Sequence, residues 1–132
     1  MRILIVEDEQ PIAEDLQGLC AKLLGKKLEA VHFELTLGNA RHYLSQKRID
    51  LLLLDLNLSG RNGFDLLKEA VSYSFHTIVV SANIDRAIEA FEYGVIDFVP
   101  KPYSEERMAK ALDRFDQSGL FQNHGVKYLS VR

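Results

Sequence analysis

Cysteine is nearly absent: Cys20 is the only one in 132 residues. That excludes an internal disulfide and fits a reducing compartment, here expected to be the cytoplasm. A surplus of positive charge is also missing. Sixteen Lys and Arg stand against 19 Asp and Glu, for a formal net charge of −3, so the chain has no general basic footprint for nucleic acid. No apolar run is long enough to cross a bilayer. The opening "MRILIVEDE" turns acidic too soon for a signal peptide, and no membrane partner is expected. The first apolar run leads into "EDEQP" with no Gly-rich loop, which argues against a dinucleotide or P-loop phosphate cradle. The four histidines, His32, His42, His76 and His124, show no metal-ligand spacing and are expected on the surface or in loops.

What is present is ample apolar residue, 47% of the chain, enough for a core and in keeping with one domain. Apolar runs and helical periodicity alternate. Strands are expected over Arg2 to Asp8, Glu29 to Leu35, Asp50 to Asp55, His76 to Ala82 and Val95 to Pro100. Helices are expected from about Glu9 to Leu24, Asn39 to Lys47, Gly63 to Val71, Ile84 to Tyr93 and Ser104 to Phe115, with Gly25 and Gly94 as stops and Ser104 as an N-cap. Five strand–helix alternations mean a parallel sheet with helices on both faces and right-handed crossovers. Cys20 lies on the stripe Ile12, Leu16, Leu19, Cys20, Leu23 and reads as core, not as a reactive thiol.

The segment "LLLLDLNLSGRNG" carries a carboxylate to the end of a doubly buried strand, where an uncompensated charge is costly. In such a sheet, sites form at the carboxyl ends of the strands. The residues just past the apolar runs are Glu7 and Asp8, Asp55, Ser81, and Lys101 with Pro102. Three carboxylates, a hydroxyl and an ammonium would then meet at one edge. Oxygen ligands at an exposed mouth suit a hard cation such as Mg²⁺. A carboxylate can also attack phosphorus to form an acyl phosphate. Singly, each residue has a plainer reading. Asp8 and Ser81 would cap helices, Lys101 would be a solvated strand end, and Asp55 would open a turn that uses Gly60 and Gly63.

With "ILIVEDE", "LLLLDLNLSGRNG", "IVVSA" and "DFVPKPY" in this order and spacing, residues 1–116 resemble a receiver domain of the two-component response regulators. The resemblance implies a flavodoxin-like three-layer sandwich: a doubly wound, five-stranded parallel sheet of order 2-1-3-4-5. It implies a phosphorylation switch rather than an enzyme, with self-phosphorylation and autodephosphorylation only. Asp55 would be the phosphoacceptor. Asp8, Asp55 and the Asn57 carbonyl would hold Mg²⁺, with Glu7 contributing through water. Ser81 and Lys101 would assist transfer, Ser81 and Phe98 would form the switch, and a cis peptide would precede Pro102. The donor would be a phosphohistidine on a sensor histidine kinase, and the face formed by the fourth helix, fifth strand and fifth helix would repack, as in a homodimer formed on phosphorylation.

The chain departs from the family pattern in three places. Ser59 stands where a proline is usual, a change expected to loosen the loop but to touch no ligand. The acid pair is Glu7-Asp8, and Ala111 stands where winged-helix regulators carry an arginine. The segment "AIEAFEYGVIDFVPKPYSEERMAKALDRF" and the tail "VKYLSVR" instead resemble receivers joined to a LytTR-type DNA-binding domain. Residues 117–132 are therefore expected to be a linker or the start of a truncated output domain, through which DNA would be bound. Two rivals remain. A haloacid-dehalogenase-like phosphatase needs a second acid where Asn57 stands, and a phosphorylation-independent domain of this fold would have a degraded site.

Overall fold

Successive residues of an extended strand point to opposite faces, so a strand that is apolar throughout needs cover on both. The computed structural model describes residues 1–117 and supplies that cover. In chain order it contains β1 (Arg2–Val6), α1 (Gln10–Leu24), β2 (Ala30–Glu34), α2 (Leu37–Gln46), β3 (Leu51–Leu54) and α3 (Phe64–Ala70). These are followed by β4 (His76–Ser81), α4 (Ala87–Glu92), β5 (Asp97–Pro100) and α5 (Glu105–Gln117). The five strands pair in parallel in the order β2-β1-β3-β4-β5, as the resemblance implied. Leu4, Val6, Leu52, Leu54, Val79 and Phe98 face a core closed by residues of α2, α3 and α4. Their neighbours Ile3, Ile5, Leu51, Leu53, Ile78, Val80 and Val99 face one closed by α1 and α5.

Two cores on one sheet explain why the strand segments read as unbroken apolar runs. Each fully buried Leu, Ile, Val or Phe is worth about 1.5–3 kcal/mol over its exposed state. Cys20 is buried in the second core, and burial pushes its thiol up to about 12, as expected of packing and not of a nucleophile. Ala111 is fully buried there too, on the inner side of α5.

Several local expectations change. Helix α2 starts at Leu37, not at Asn39, because the Thr36 hydroxyl accepts from the Asn39 amide at 3.1 Å and caps an earlier start. The fourth helix begins as a 3₁₀ turn, Ile84–Arg86, and is α-helical only over Ala87–Glu92. Asp8 does not cap α1, whose N-cap is Glu9 without a side-chain bond. Two of the histidines expected on the surface or in loops are partly exposed within strands. His32 lies within β2, stacked on Tyr43 with centroids 4.4 Å apart, and His76 opens β4. The loop after β3 is a small hairpin in which Asn57–Leu58 pairs antiparallel with Arg61–Asn62. Ser59 and Gly60 at its tip have φ +50° and +79°. A proline ring locks φ near −65°, so this turn shape is closed to the proline usual at position 59. Helix α5 runs on to Gln117, past the expected end at Phe115, while the tail "VKYLSVR" and His124 lie outside the described residues.

Candidate functional site

The chain leaves β1 toward β2 on one side and returns to β3 on the other, so the ends of β1 and β3 flank the crevice where the winding reverses. Two acids end β1 and one ends β3. The Asp55 amide donates to the Val6 carbonyl at 3.0 Å, continuing the β1–β3 ladder and fixing Asp55 beside Glu7 and Asp8. From β5 comes Lys101, whose amide donates to the Ser81 carbonyl at 3.1 Å, and the Lys101–Pro102 peptide is cis. The Lys101 ammonium donates to Glu7 Oε1 at 2.6 Å and to Asp55 Oδ2 at 2.9 Å. The Asn57 amide donates to Asp55 Oδ1 at 3.1 Å, so Asp55 opens a turn and joins an ion cluster at once. Lys101 is the compensation that lets a carboxylate end so apolar a strand.

Glu7 is almost wholly buried. Burial, with the Asp55 charge adding to it, lifts its pKa to about 7 against the opposing bonds from Lys101 and the Glu9 amide. Burial lowers Lys101, but Glu7 and Asp55 outweigh it and hold the ammonium above its ordinary value. Asp8 is less enclosed. Burial raises it, while hydrogen bonds led by that from Ser59 bring it below the usual carboxylate range. Oxygens of Glu7, Asp8 and Asp55 lie within 4.8 Å of one another. Three carboxylates cluster about one ammonium, which bonds Glu7 and Asp55, and an all-oxygen set with this deficit of positive charge suits a hard divalent cation.

An open cleft of about 440 Å³ is lined by Asp8, Asp55, Asn57, Ser81 and Lys101, with Glu9, Ala82 and Asn83. The structure thus gathers Glu7, Asp8, Asp55, Asn57, Ser81 and Lys101 at one edge. The Ser81 hydroxyl accepts from the Asn83 amide at 3.2 Å, a local turn bond; it does not cap the following helix, whose 3₁₀ start has Asn83 as N-cap without a side-chain bond. Phe98 is apart from the cleft, buried in the core beneath α4 among residues that include Ala90 and Tyr93.

Two features were missed from sequence. Ser59, expected to touch no ligand, donates its hydroxyl to Asp8 Oδ2 at 2.7 Å. The hairpin tip, held by two ladder pairs, carries it there. The second is Asp97, buried at the start of β5. Arg107 donates to both its oxygens at 2.8 Å, and Arg114 stands 3.1 Å from Oδ1. Arg107 and Arg114 lie seven residues apart, two helical turns, and that spacing was the available signal.

A doubly wound parallel sheet with an acid cluster and a lysine at its switch point defines a class of flavodoxin-like α/β domain with an acidic pocket at its carboxyl edge. The family model for the response regulator receiver domain matches residues 3–113, and the chain belongs to that family. Its relatives include the sensory transduction protein LytT of Bacillus subtilis (strain 168), 32% identical over 117 residues, with 87% of this chain and 48% of that protein covered. The sensory transduction protein LytR of Streptococcus mutans serotype c is 34% identical over 144 residues, covering 99% of this chain and 58% of that protein. The response regulatory domain of protein mrkE from Klebsiella pneumoniae has the same fold, with a TM-score of 0.81, 24% identity and 93% and 99% of the two chains covered. The chain spans about half the length of the curated relatives it matches. Receiver domains are signalling modules of two-component systems, and no helix among the described residues is long and apolar enough to cross a membrane.

Proposed function

We propose that this domain is a phosphorylation-dependent switch in which Asp55 takes a phosphoryl group from a phosphohistidine on a sensor histidine kinase. The observation that carries the reading is the Lys101 ammonium bridging Glu7 and Asp55 inside a carboxylate cluster at the sheet's switch point. An Asp55 carboxylate oxygen attacks phosphorus, the bond from phosphorus to the donor nitrogen breaks with its electron pair going to nitrogen, and the imidazole, already protonated at its other ring nitrogen, leaves neutral. Lys101, already beside Asp55, pairs with the incoming phosphoryl charge. Ser81 donates a hydrogen bond to a phosphoryl oxygen. Asp8, Asp55 and the Asn57 carbonyl would hold Mg²⁺, with Glu7 acting through a water. When bound, the ion supplies charge stabilisation for the transferring group.

The aspartyl phosphate then adds charge and acceptor oxygens at the cleft, and Ser81 turning toward it frees space beneath α4 for Phe98. Phe98 is buried in the core here. Its ring has no hydroxyl to solvate, so an inward rotamer is populated more readily than for a tyrosine even before phosphorylation, unless a partner covers the ring. The face of α4, β5 and α5 would report the change by pairing with a second copy. In a longer protein the output would be transcription, through a LytTR-type DNA-binding domain beginning within residues 117–132, in the cytoplasm. The similarity to the transcriptional regulatory protein MalR of Bacillus subtilis (strain 168) supports that output.

The test is labelling by a small acyl-phosphate donor with Mg²⁺. The wild type should take up one acid-stable, base-labile phosphoryl group and Asp55→Asn none. Undiminished label in that variant sinks the assignment, and sustained turnover of phosphomonoesters would instead mark a phosphatase.

A further inference from the structure

The Lys101 ammonium holds two of the three clustered carboxylates, Glu7 and Asp55. The third, Asp8, is bonded from the hairpin: the Ser59 hydroxyl donates to Asp8 Oδ2 at 2.7 Å, across 51 positions of sequence, and leads the hydrogen bonds to this carboxylate, to which Glu7 and the Asp8 and Ser59 amides also contribute. We propose that Ser59 is a positioning residue for metal binding, fixing one Asp8 oxygen through its hydroxyl so that the carboxylate is pre-set as a ligand. The proposal rests on the reading of Asp8 as a metal ligand.

Three observations support it. Carboxylate ligands bind best when an outer hydrogen bond already restrains them, and Ser59 supplies such a bond to the least enclosed of the three. The hydroxyl is presented from a defined support, since Asn57 pairs with Asn62 and Leu58 with Arg61 on either side of the tip. Finally, the backbone does not favour serine. Ser59 has φ +50°, a region that glycine enters freely and residues with a Cβ rarely adopt. Nothing about the turn alone calls for a hydroxyl, and the one polar group that this residue adds is the one bonded to Asp8.

The backbone angle supplies a clean experiment. Ser59→Gly suits the turn and removes only the hydroxyl, whereas Ser59→Asn tolerates the same φ and restores a donor. Mg²⁺ alone is titrated into each unphosphorylated protein, and the amide shifts of residues around the cleft are followed. About tenfold weaker affinity is expected for Ser59→Gly, with recovery toward the wild-type value in Ser59→Asn. If Ser59 only shapes the turn, Ser59→Gly binds Mg²⁺ as well as the wild type, and the proposal is overturned. Equal weakness in both variants points to the loop rather than the hydrogen bond and also overturns it. A wild-type protein without saturable shifts near Asp8 and Asp55 brings down the metal site itself, a different failure from that of Ser59.

Discussion

Gly63 shows how little room the Asp55 end of β3 leaves. Its backbone, φ −61° and ψ −17°, would admit any residue, so the constraint is space. A Cβ there would stand 2.5 Å from the Asp55 carbonyl oxygen and 2.8 Å from Leu56 Cα, both backbone atoms, and the Gly63 amide already donates to the Leu56 carbonyl at 2.8 Å. Gly63→Ala must push the β3 end away, and overpacking of this kind costs about 1–3 kcal/mol. The shift should appear as a lower urea midpoint together with slower acyl-phosphate labelling. An unchanged midpoint and rate would mean that the loop yields freely. At this scale the acids and the lysine were legible because each follows an apolar run, and a doubly wound sheet puts all such positions on one edge. Ser59 was not legible. Its contact joins two loops 51 positions apart, and it depends on a turn conformation that no period announces.

Among the elements, α5 is bound to β5 by charge as well as by its apolar stripe. Asp97 is buried. Burial raises its pKa, but the Arg107 hydrogen bonds, the Phe98 amide and the charges of Arg107 and Arg114 outweigh that and hold it below the ordinary value. A depressed folded-state pKa means stability that is present above the unfolded pKa and lost as pH falls through the folded one. Asp97→Asn should cost about 1.5–3 kcal/mol at neutral pH, toward the lower end because Arg114 is half exposed and screened. The gap between wild-type and variant urea midpoints should narrow as pH drops below about 3.9. A gap that stays constant with pH would show that packing, not the carboxylate charge, is what the substitution removes. The strands were legible because burial on both faces leaves an unbroken apolar run. The helix starts were not, since Thr36 and the 3₁₀ turn at Ile84–Arg86 act through local hydrogen bonding that periodicity does not register. Asp97 was hidden for the opposite reason: it looks like a strand-flanking acid until α5 folds back over it.

Among the described residues of the whole molecule, the large apolar side chains left exposed are Val71 and Tyr73 after α3, and three on the 3₁₀ turn and α4. Ile84, Ile88 and Phe91 are 58%, 80% and 48% exposed and are spaced to share a face. Phe98 packs beneath the same helix, so a change at Ser81 that alters Phe98 packing would move this face rather than a distant one. The proposed pairing with a second copy would bury the stripe symmetrically, so each contact counts twice. Burying one isoleucine is worth about 1.5–3 kcal/mol, which is enough per side for a few such residues to decide between monomer and dimer. Ile88→Glu places a charge at the most exposed of the three. As a surface change it should leave stability within about 0.5 kcal/mol, and Asp55 should still take label at the wild-type rate. Light scattering after chromatography, with and without acyl phosphate and Mg²⁺, should show the wild type moving from monomer to dimer on phosphorylation and Ile88→Glu remaining monomeric while equally phosphorylated. A variant that still dimerises would remove this face from the output, and a wild type that stays monomeric when fully phosphorylated would remove pairing of the isolated domain altogether.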